Sequence, residues 1–281
     1  MKKLILLGIL VVPILVQAQR WHVNIFGGIS NYSGDLQSKA FTLDQSYAAF
    51  GAGAQYDVTY HISILSNVSL MKVGAADKYN RPDLQFRNLS FQSQILEWNL
   101  LGEYTFMDLS KKSFSPYVFA GIAVYHFNPF TFDSTGAKIY LQPLSTEGEG
   151  LQQYPNVKQY NLVQMAIPFG AGIKLRITDN VVLAYEISFR KLFTDYLDDV
   201  SNRYVDQTIL LNARGSKAVE MAYRGGELKG GNPVYPSDGT VRGGPKYKDV
   251  YYFTGIKLSI ALISKKNSYY GRGRIDCPPK L

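Results

Sequence analysis

The chain has 281 residues and a formal net charge of +8 at pH 7, which is enough length for one large domain or two small ones. Its single cysteine excludes an internal disulfide, so its stability must come from burial or from a membrane. The three histidines fall in separate segments, and the sequence carries no phosphate-binding, dinucleotide-binding or hydrolase motif. We therefore expect neither a metal nor another cofactor.

An export signal occupies the beginning of the chain. Lys2 and Lys3 precede an apolar run over 4–16, which closes on the small residue Ala18. The run is too short to span a bilayer as a helix, and no cysteine stands at the cleavage point to carry a lipid anchor. We expect residues 1–18 to be a signal peptide. In an exported chain, positive charge favours anionic lipid or an acidic protein face as the partner, and not nucleic acid.

Alternation of apolar and polar residues with a period of two predicts eight β-strands along the rest of the chain. The predicted strands cover residues 20–31, 47–59, 61–74, 90–106, 116–127, 161–177, 181–194 and 251–263. The fifth is apolar on both faces, so its alternation leaves open which face points inward. No stretch has helical periodicity, and no later run is apolar over 18 residues.

The connections between these strands alternate in length. The long ones cover residues 32–46, 75–89, 128–160 and 195–250. The shorter ones lie near Tyr60, over 107–115 and at 178–180. Such alternation is typical of an up-and-down barrel with short periplasmic turns and long outer loops.

We therefore predict an all-β fold, an eight-stranded antiparallel up-and-down transmembrane β-barrel with long extracellular loops, over residues 19–263. A basic periplasmic tail would follow over 264–281. Because alternation does not say which face points outward, a soluble barrel with polar residues outside is the alternative.

Charged residues share the polar phase of the strands. They are Glu97, Glu103, Lys174, Glu186, Arg190 and Lys257. Opposite charges on these strands can pair only if they share one lumen, which favours the membrane barrel. Eight strands enclose an interior that side chains fill, so bulk passage is excluded. Lys72 and Lys191 fall on the lipid-facing phase at the outer strand ends, where they can reach lipid phosphates.

The last outer loop carries a candidate calcium site. Asp195, Asp198, Asp199 and Asp206 could offer oxygens to calcium, but a solvated turn whose aspartates cap backbone amides is favoured. The eight glycines in the surrounding 195–250 loop predict a segment that is mobile or held by a partner.

His126 lies near the outer rim, where with a serine nearby it would resemble the base of a lipid-deacylating barrel. A rim histidine that bonds to loop backbone is the favoured interpretation.

Basic residues cluster at the predicted periplasmic face. The tail contains Lys265, Lys266, Arg272 and Arg274 before Cys277, and the 107–115 turn adds Lys111 and Lys112. These groups either contact phospholipid phosphates or dock an acidic partner. Docking is preferred because lipid contact does not explain a tail of this length after the last strand.

Several loop and rim strings resemble the PorG family, outer-membrane barrels of the type IX secretion system of Bacteroidetes. They are NYSGDL at 31–36, RNLSF at 87–91, SPYVFAG at 115–121, HFNP at 126–129, LQPLSTEGEG at 141–150, AIPFG at 166–170, TDYLDDVS at 194–201 and the terminal Cys277-Pro278. The resemblance implies a barrel that associates with a periplasmic ring of a lipoprotein and its partner protein, and it implies no catalytic residues.

We therefore expect a structural outer-membrane barrel that anchors or positions that ring, and not an enzyme. The alternatives are a lipid-modifying enzyme and a surface receptor or adhesin that uses the loops 128–160 and 195–250.

Overall fold

The computed structural model describes residues 20–39, 41–244 and 248–262. The predicted signal peptide at 1–18 and the predicted basic tail at 264–281 lie outside these residues.

Eight long strands form the wall of the fold. They are β1 (Trp21–Ser33), β2 (Tyr47–Asp57), β3 (Ile62–Ala76), β4 (Ser90–Thr105), β5 (Phe114–His126), β8 (Val163–Arg176), β9 (Val181–Leu192) and β10 (Val250–Ala261). Two short strands, β6 (Pro129–Phe132) and β7 (Lys138–Tyr140), form a hairpin above β4 and β5. Each wall strand begins and ends within two residues of its predicted segment.

The wall closes on itself with every neighbouring pair antiparallel. Consecutive wall strands pair along the chain, and β1 pairs with β10, from His22 opposite Ala261 to Ser33 opposite Val250. The closed sheet leaves no free edge among the wall strands. The predicted eight-stranded up-and-down barrel is therefore confirmed.

The two faces of the wall differ in polarity. On β4, Trp98 points outward and is 45% exposed, whereas its neighbours Glu97 and Asn99 point inward and are almost fully buried. The same alternation occurs on β5, for which the sequence left the inward face open. There Val118 and Ile122 point outward. An apolar outside around a polar inside is the arrangement of a transmembrane barrel, and the reverse of a soluble one.

The two ends of the barrel also differ. At one end, which we call the turn end, short connections join the strands, and aromatic rings such as Trp21 and Tyr56 pack together with centroids 5.0 Å apart. At the other, the cap end, residues 127–162, 193–244 and 248–249 form a folded layer, which we call the cap. None of the helices in the described residues is long and apolar enough to cross a membrane.

The cap contains two helices that the sequence pattern did not predict, α1 (Gln207–Arg214) and α2 (Ser216–Ala222). The glycine-rich loop was predicted to be mobile or held by a partner, and this interpretation missed contacts within the chain. Its apolar residues pack with one residue of the other long loop in a small core of Leu151, Val205, Leu210, Ala218 and Ala222. Two segments that could not each bury enough apolar surface do so together.

Candidate functional site

The six charged residues predicted for the lumen are all buried inside the barrel, where they form two clusters. The cluster nearer the turn end centres on Lys257, whose Nζ lies 3.1 Å from a carboxylate oxygen of Glu103 and 3.1 Å from one of Glu186. Lys174 donates to the other oxygen of Glu103. The hydroxyl of Tyr117 donates to Glu186 at 2.7 Å.

The second cluster lies nearer the cap end and joins Arg190 to Glu97. Nε and Nη2 of Arg190 donate to the two carboxylate oxygens of Glu97 at 3.0 and 3.2 Å, the paired geometry that suits a guanidinium. Tyr251 and Asn99 donate to the same carboxylate at 2.6 and 2.8 Å. Each oxygen of Glu97 therefore has two donors.

Side chains occupy the barrel between and around these clusters. Leu65, Leu101, Tyr117, Phe119 and Ala184 pack together at the level of the first cluster. A recess of about 540 Å³ enters from the turn end and is lined at its inner side by Lys174. The interior is consequently closed by packed side chains and paired charges.

Above the barrel, the cap buries a set of carboxyl groups that have few cations near them. The hydroxyl of Tyr32 lies 2.6 Å from an oxygen of Asp198 and 2.7 Å from one of Asp249. The backbone amides of Val200 and Leu197 donate to the remaining oxygens of these two aspartates at 2.9 Å. Hydroxyl and amide donors, and not side-chain cations, satisfy this part of the cap.

Arg242 is the cation at the centre of the neighbouring carboxyl groups. It donates to Glu147 at 2.9 Å and to the backbone oxygen of Asp199 at 2.6 Å. Glu147 also accepts from the backbone amides of Ser201 and Asn202, which ties the 127–162 segment to the 193–249 segment.

Arg87 ties the cap to the connection between β3 and β4. Its guanidinium makes two bonds to the carboxylate of Asp77, at 2.6 and 3.1 Å, and donates to the backbone oxygens of Asp35 and Arg242. All three loops that meet here are thus joined through one buried side chain.

Burial determines the protonation of this layer. It raises the pKa of Asp195 from its ordinary value of 3.8 to about 7. Burial, followed by the neighbouring carboxyl groups, holds the pKa of Asp198 and of Glu149 well above the usual range. A carboxyl group removed from water without a cation keeps its proton more readily.

The aspartates predicted to form a solvated turn have different roles. Asp206 accepts from the backbone amides of Thr208 and Ile209 at 2.9 Å and caps α1, as expected of a capping aspartate. Asp195, Asp198 and Asp199 are instead buried, so the prediction of a solvated turn is wrong for them. Within the described residues, no group of three or more potential ligands could hold a metal ion.

The remaining predicted site residues lie apart from these clusters. His126 is exposed at the end of β5, and within the described residues its ring forms no hydrogen bond. The favoured bond to loop backbone is therefore not formed. Lys111 and Lys112 are exposed on the turn between β4 and β5. Lys265, Lys266, Arg272, Arg274 and Cys277 lie outside the described residues.

Sequence reasoning missed the residues that assemble the cap. The clearest are Tyr32, Arg87, Glu147, Arg242 and Asp249. Three of them belong to the strings that carry the family resemblance, NYSGDL, RNLSF and LQPLSTEGEG. Those strings were the available signal, because polar residues in ordinary solvated loops need no particular identity.

Comparison with known protein families finds a match that covers most of the chain. Residues 1–212 match the family described as Domain of unknown function (DUF6089). The chain belongs to the DUF6089 family. The match to DUF6089 includes all wall strands of the barrel except β10, together with the first of the two cap segments. No curated protein matches the sequence.

Three of the solved structures that are similar to this DUF6089 barrel are a bacterial surface protein and two outer-membrane proteins. Neisserial surface protein A has 10% identity and a TM-score of 0.41, over 86% of this chain and 96% of that chain. The attachment invasion locus protein Ail of Yersinia pestis, in complex with the heparin analogue sucrose octasulfate, has 8% identity and a TM-score of 0.40, over 85% and 96%. OprG of Pseudomonas aeruginosa has 9% identity and a TM-score of 0.38, over 86% and 97%.

Proposed function

We propose that the protein is a structural component of the bacterial outer membrane that anchors or positions the periplasmic ring of a type IX secretion system. The observation that carries this proposal is the closed interior inside an apolar wall. The wall holds the chain in lipid, while paired charges such as Arg190 with Glu97 fill the lumen. A barrel whose interior is filled in this way contacts its partners at its two ends.

The lengths of the connections support an orientation with the turn end in the periplasm and the cap outside, as in other outer-membrane barrels. Lys111 and Lys112 are exposed at the turn end, and Lys111 lies 3.5 Å from Asp108 there. β10, the last strand before the basic residues 264–281, also ends at the turn end. A positive periplasmic face suits an acidic surface of the ring lipoprotein or of its partner protein.

A purely structural role also fits the surroundings of His126. A base that activates a serine must lie within hydrogen-bonding reach of it. His126 has no such neighbour in the described part of the chain, and it shares the outward face of β5 with Val124 and Ile122.

The cap supports one alternative, a surface receptor or adhesin. Its two segments fold into one layer with its own core, which would present a rigid binding surface to the medium. Binding of the purified protein to host or bacterial glycans, lost on replacement of the cap but not of the tail, would favour this alternative.

The decisive experiment combines deletion of residues 268–281 with Lys111→Gln and Lys112→Gln in the full tagged protein. We expect the variant to insert normally, as judged by heat-modifiable migration, but to lose co-purification of the ring proteins and secretion of their cargo. Lys138→Gln with Lys191→Gln, at the cap end, is the matched control. Normal co-purification and secretion by the first variant would refute docking through this face.

Orientation can be tested separately with a membrane-impermeant thiol reagent. In a Cys277→Ser background, we expect intact cells to label Gly226→Cys in the cap and not Thr178→Cys in the β8–β9 turn. Both positions are exposed. The reverse labelling would invert the topology and remove the basis for a periplasmic partner at the turn end.

A further inference from the structure

A notch opens in the outer wall at the cap end, beside the first residues of β2. The pairing of β3 with β4 continues to Ala76 opposite Ser90, but its pairing with β2 stops at Met71 opposite Ala49. Over its last residues, β3 therefore has no pairing with β2. The space beside it has a volume of about 430 Å³, within the range of small-ligand sites.

Two lysines bring positive charge to this notch. Lys78 lines it, with Nζ 4.8 Å from the ring centroid of Tyr79. Lys72 lies beside it, with Nζ 4.9 Å from the ring centroid of Tyr47, which also lines the notch. Neither lysine forms an ion pair with a carboxylate in the described residues. The one carboxylate among the described lining residues, Glu227, is already bound by Arg224 and so leaves the two lysines uncompensated.

Neutral donors at the notch also lack acceptors. Nε2 of Gln45 is buried and has no hydrogen-bond partner in the described part of the structure. The hydroxyl of Tyr47 accepts only a long bond from Gln92, at 3.4 Å, so its own proton is available. Unpaired donors together with two ammonium groups make a site that is complementary to an anion with several oxygens.

The position of the notch along the barrel axis indicates that this anion belongs to a lipid headgroup. On the outward face of β3, Lys72 follows Leu70, which is 49% exposed and pairs with the exposed Phe50 of β2. Successive outward residues lie roughly 7 Å apart along a strand. Lys72 therefore stands directly above the apolar belt, at the level where lysine side chains reach lipid headgroups, and Lys78 lies in the turn that follows β3.

We infer that this notch binds the phosphorylated headgroup of an outer-leaflet glycolipid. The inference rests on the proposed placement in the outer membrane, but not on any role in secretion. A soluble phosphate would meet the same donors, whereas a glycolipid would also lay its acyl chains along Leu70 and Phe50 below.

The test uses the purified full chain in neutral-lipid nanodiscs, with bound lipid measured by native mass spectrometry. The probes are bisphosphorylated lipid A, the same lipid A after removal of its phosphates, and inorganic phosphate. We expect at least about tenfold tighter binding of the phosphorylated lipid than of the dephosphorylated one. Lys72→Gln with Lys78→Gln should abolish that preference.

Lys158→Gln is the matched control, because Lys158 is an exposed lysine of the cap that does not line the notch. It should leave the preference unchanged. Three results would overturn the inference: an undiminished preference in the double variant, equal binding of the dephosphorylated lipid, or displacement of lipid A by inorganic phosphate. None of these outcomes bears on co-purification of the ring.

Discussion

The lumen and the cap solve the same problem, buried carboxyl groups, in different ways. In the lumen, Glu97, Glu103 and Glu186 each lie against a lysine or arginine from another strand. In the cap, Asp198 and Asp249 share the hydroxyl of Tyr32 and otherwise accept from backbone amides.

The difference follows from how the two regions are built. Wall strands of fixed register carry long cationic side chains to a predictable height, so opposite charges meet and pair. The cap is formed by loops that approach with their backbones, so its carboxyl groups find amides and hydroxyls. Where no side-chain cation lies beside them, as at Asp198 and Asp249, their ionisation is costly, so we expect the stability of the cap to depend on pH.

The largest expected effect is in the lumen. Glu97→Leu leaves the buried guanidinium of Arg190 without its partner, which should lower the free energy of unfolding by roughly 3 kcal/mol or more. Thermal unfolding in detergent measures it. Glu97→Leu combined with Arg190→Met removes both charges and should recover most of the loss. A Glu97→Leu variant that is more stable than the unchanged chain would contradict a stabilising ion pair between Glu97 and Arg190.

In the cap, Arg242→Met should be costly locally but not globally. It leaves Glu147 buried without its cation, but the backbone amides of Ser201 and Asn202 still donate to that carboxylate, so we expect a loss of about 1–3 kcal/mol. We expect faster hydrogen exchange and proteolysis across 193–249 while the wall strands stay protected. Arg203→Met, at an exposed position of the same segment, is the control. Unfolding of the whole barrel by Arg242→Met would mean that cap and wall are one cooperative unit.

The pH dependence of cap stability should be a smaller effect than either substitution, and its sign follows from the pKa of Asp195. Because the pKa of Asp195 is about 7 in the folded cap and near 3.8 when exposed, the folded cap binds the proton more tightly. Its contribution is complete below pH 4 and is lost as pH rises to about 7. Hydrogen exchange of the cap, corrected for intrinsic rates, should show this slope.

Asp195→Asn should flatten that slope and leave the cap comparatively more protected at pH 8. Asp83→Asn, which changes an exposed aspartate, should not alter it. An unchanged slope in the Asp195 variant would assign the pH dependence to other carboxyl groups of the cap.

The smallest effect concerns the start of α1. Asp206→Ala removes the acceptor for the amides of Thr208 and Ile209, at a cost of about 1 kcal/mol. Faster exchange confined to the first turn of the helix would be the expected signature. Asn212→Ala, at an exposed position in the same helix, should not produce it.

The strands and the lumen charges could be predicted because both follow from a local rule. A strand between lipid and lumen alternates environments at every residue, so the period of two is visible without any partner. The same rule places Glu97, Arg190 and Lys257 inside. It does not say which charges pair, since that depends on the register between strands.

The helices of the cap lacked such a signal. α1 and α2 span only eight and seven residues, too few for a clear apolar period, although Asp206 stands at the capping position. The glycines that predicted mobility, such as Gly215 with φ of 86°, instead supply turns between short elements that pack on the neighbouring loop.

The sequence by itself therefore determined the wall: eight strands, the alternation of their two faces, and which ends carry long loops. The structure decided which face points outward. Only the tertiary structure decided the cap, because its contacts join residues far apart in the chain. Tyr32 meets Asp198 and Asp249 across 166 and 217 positions. The periodicity of the sequence cannot predict such a contact. It forms because barrel closure pairs the ends of β1 and β10 beneath the loops, which bury their polar groups against one another.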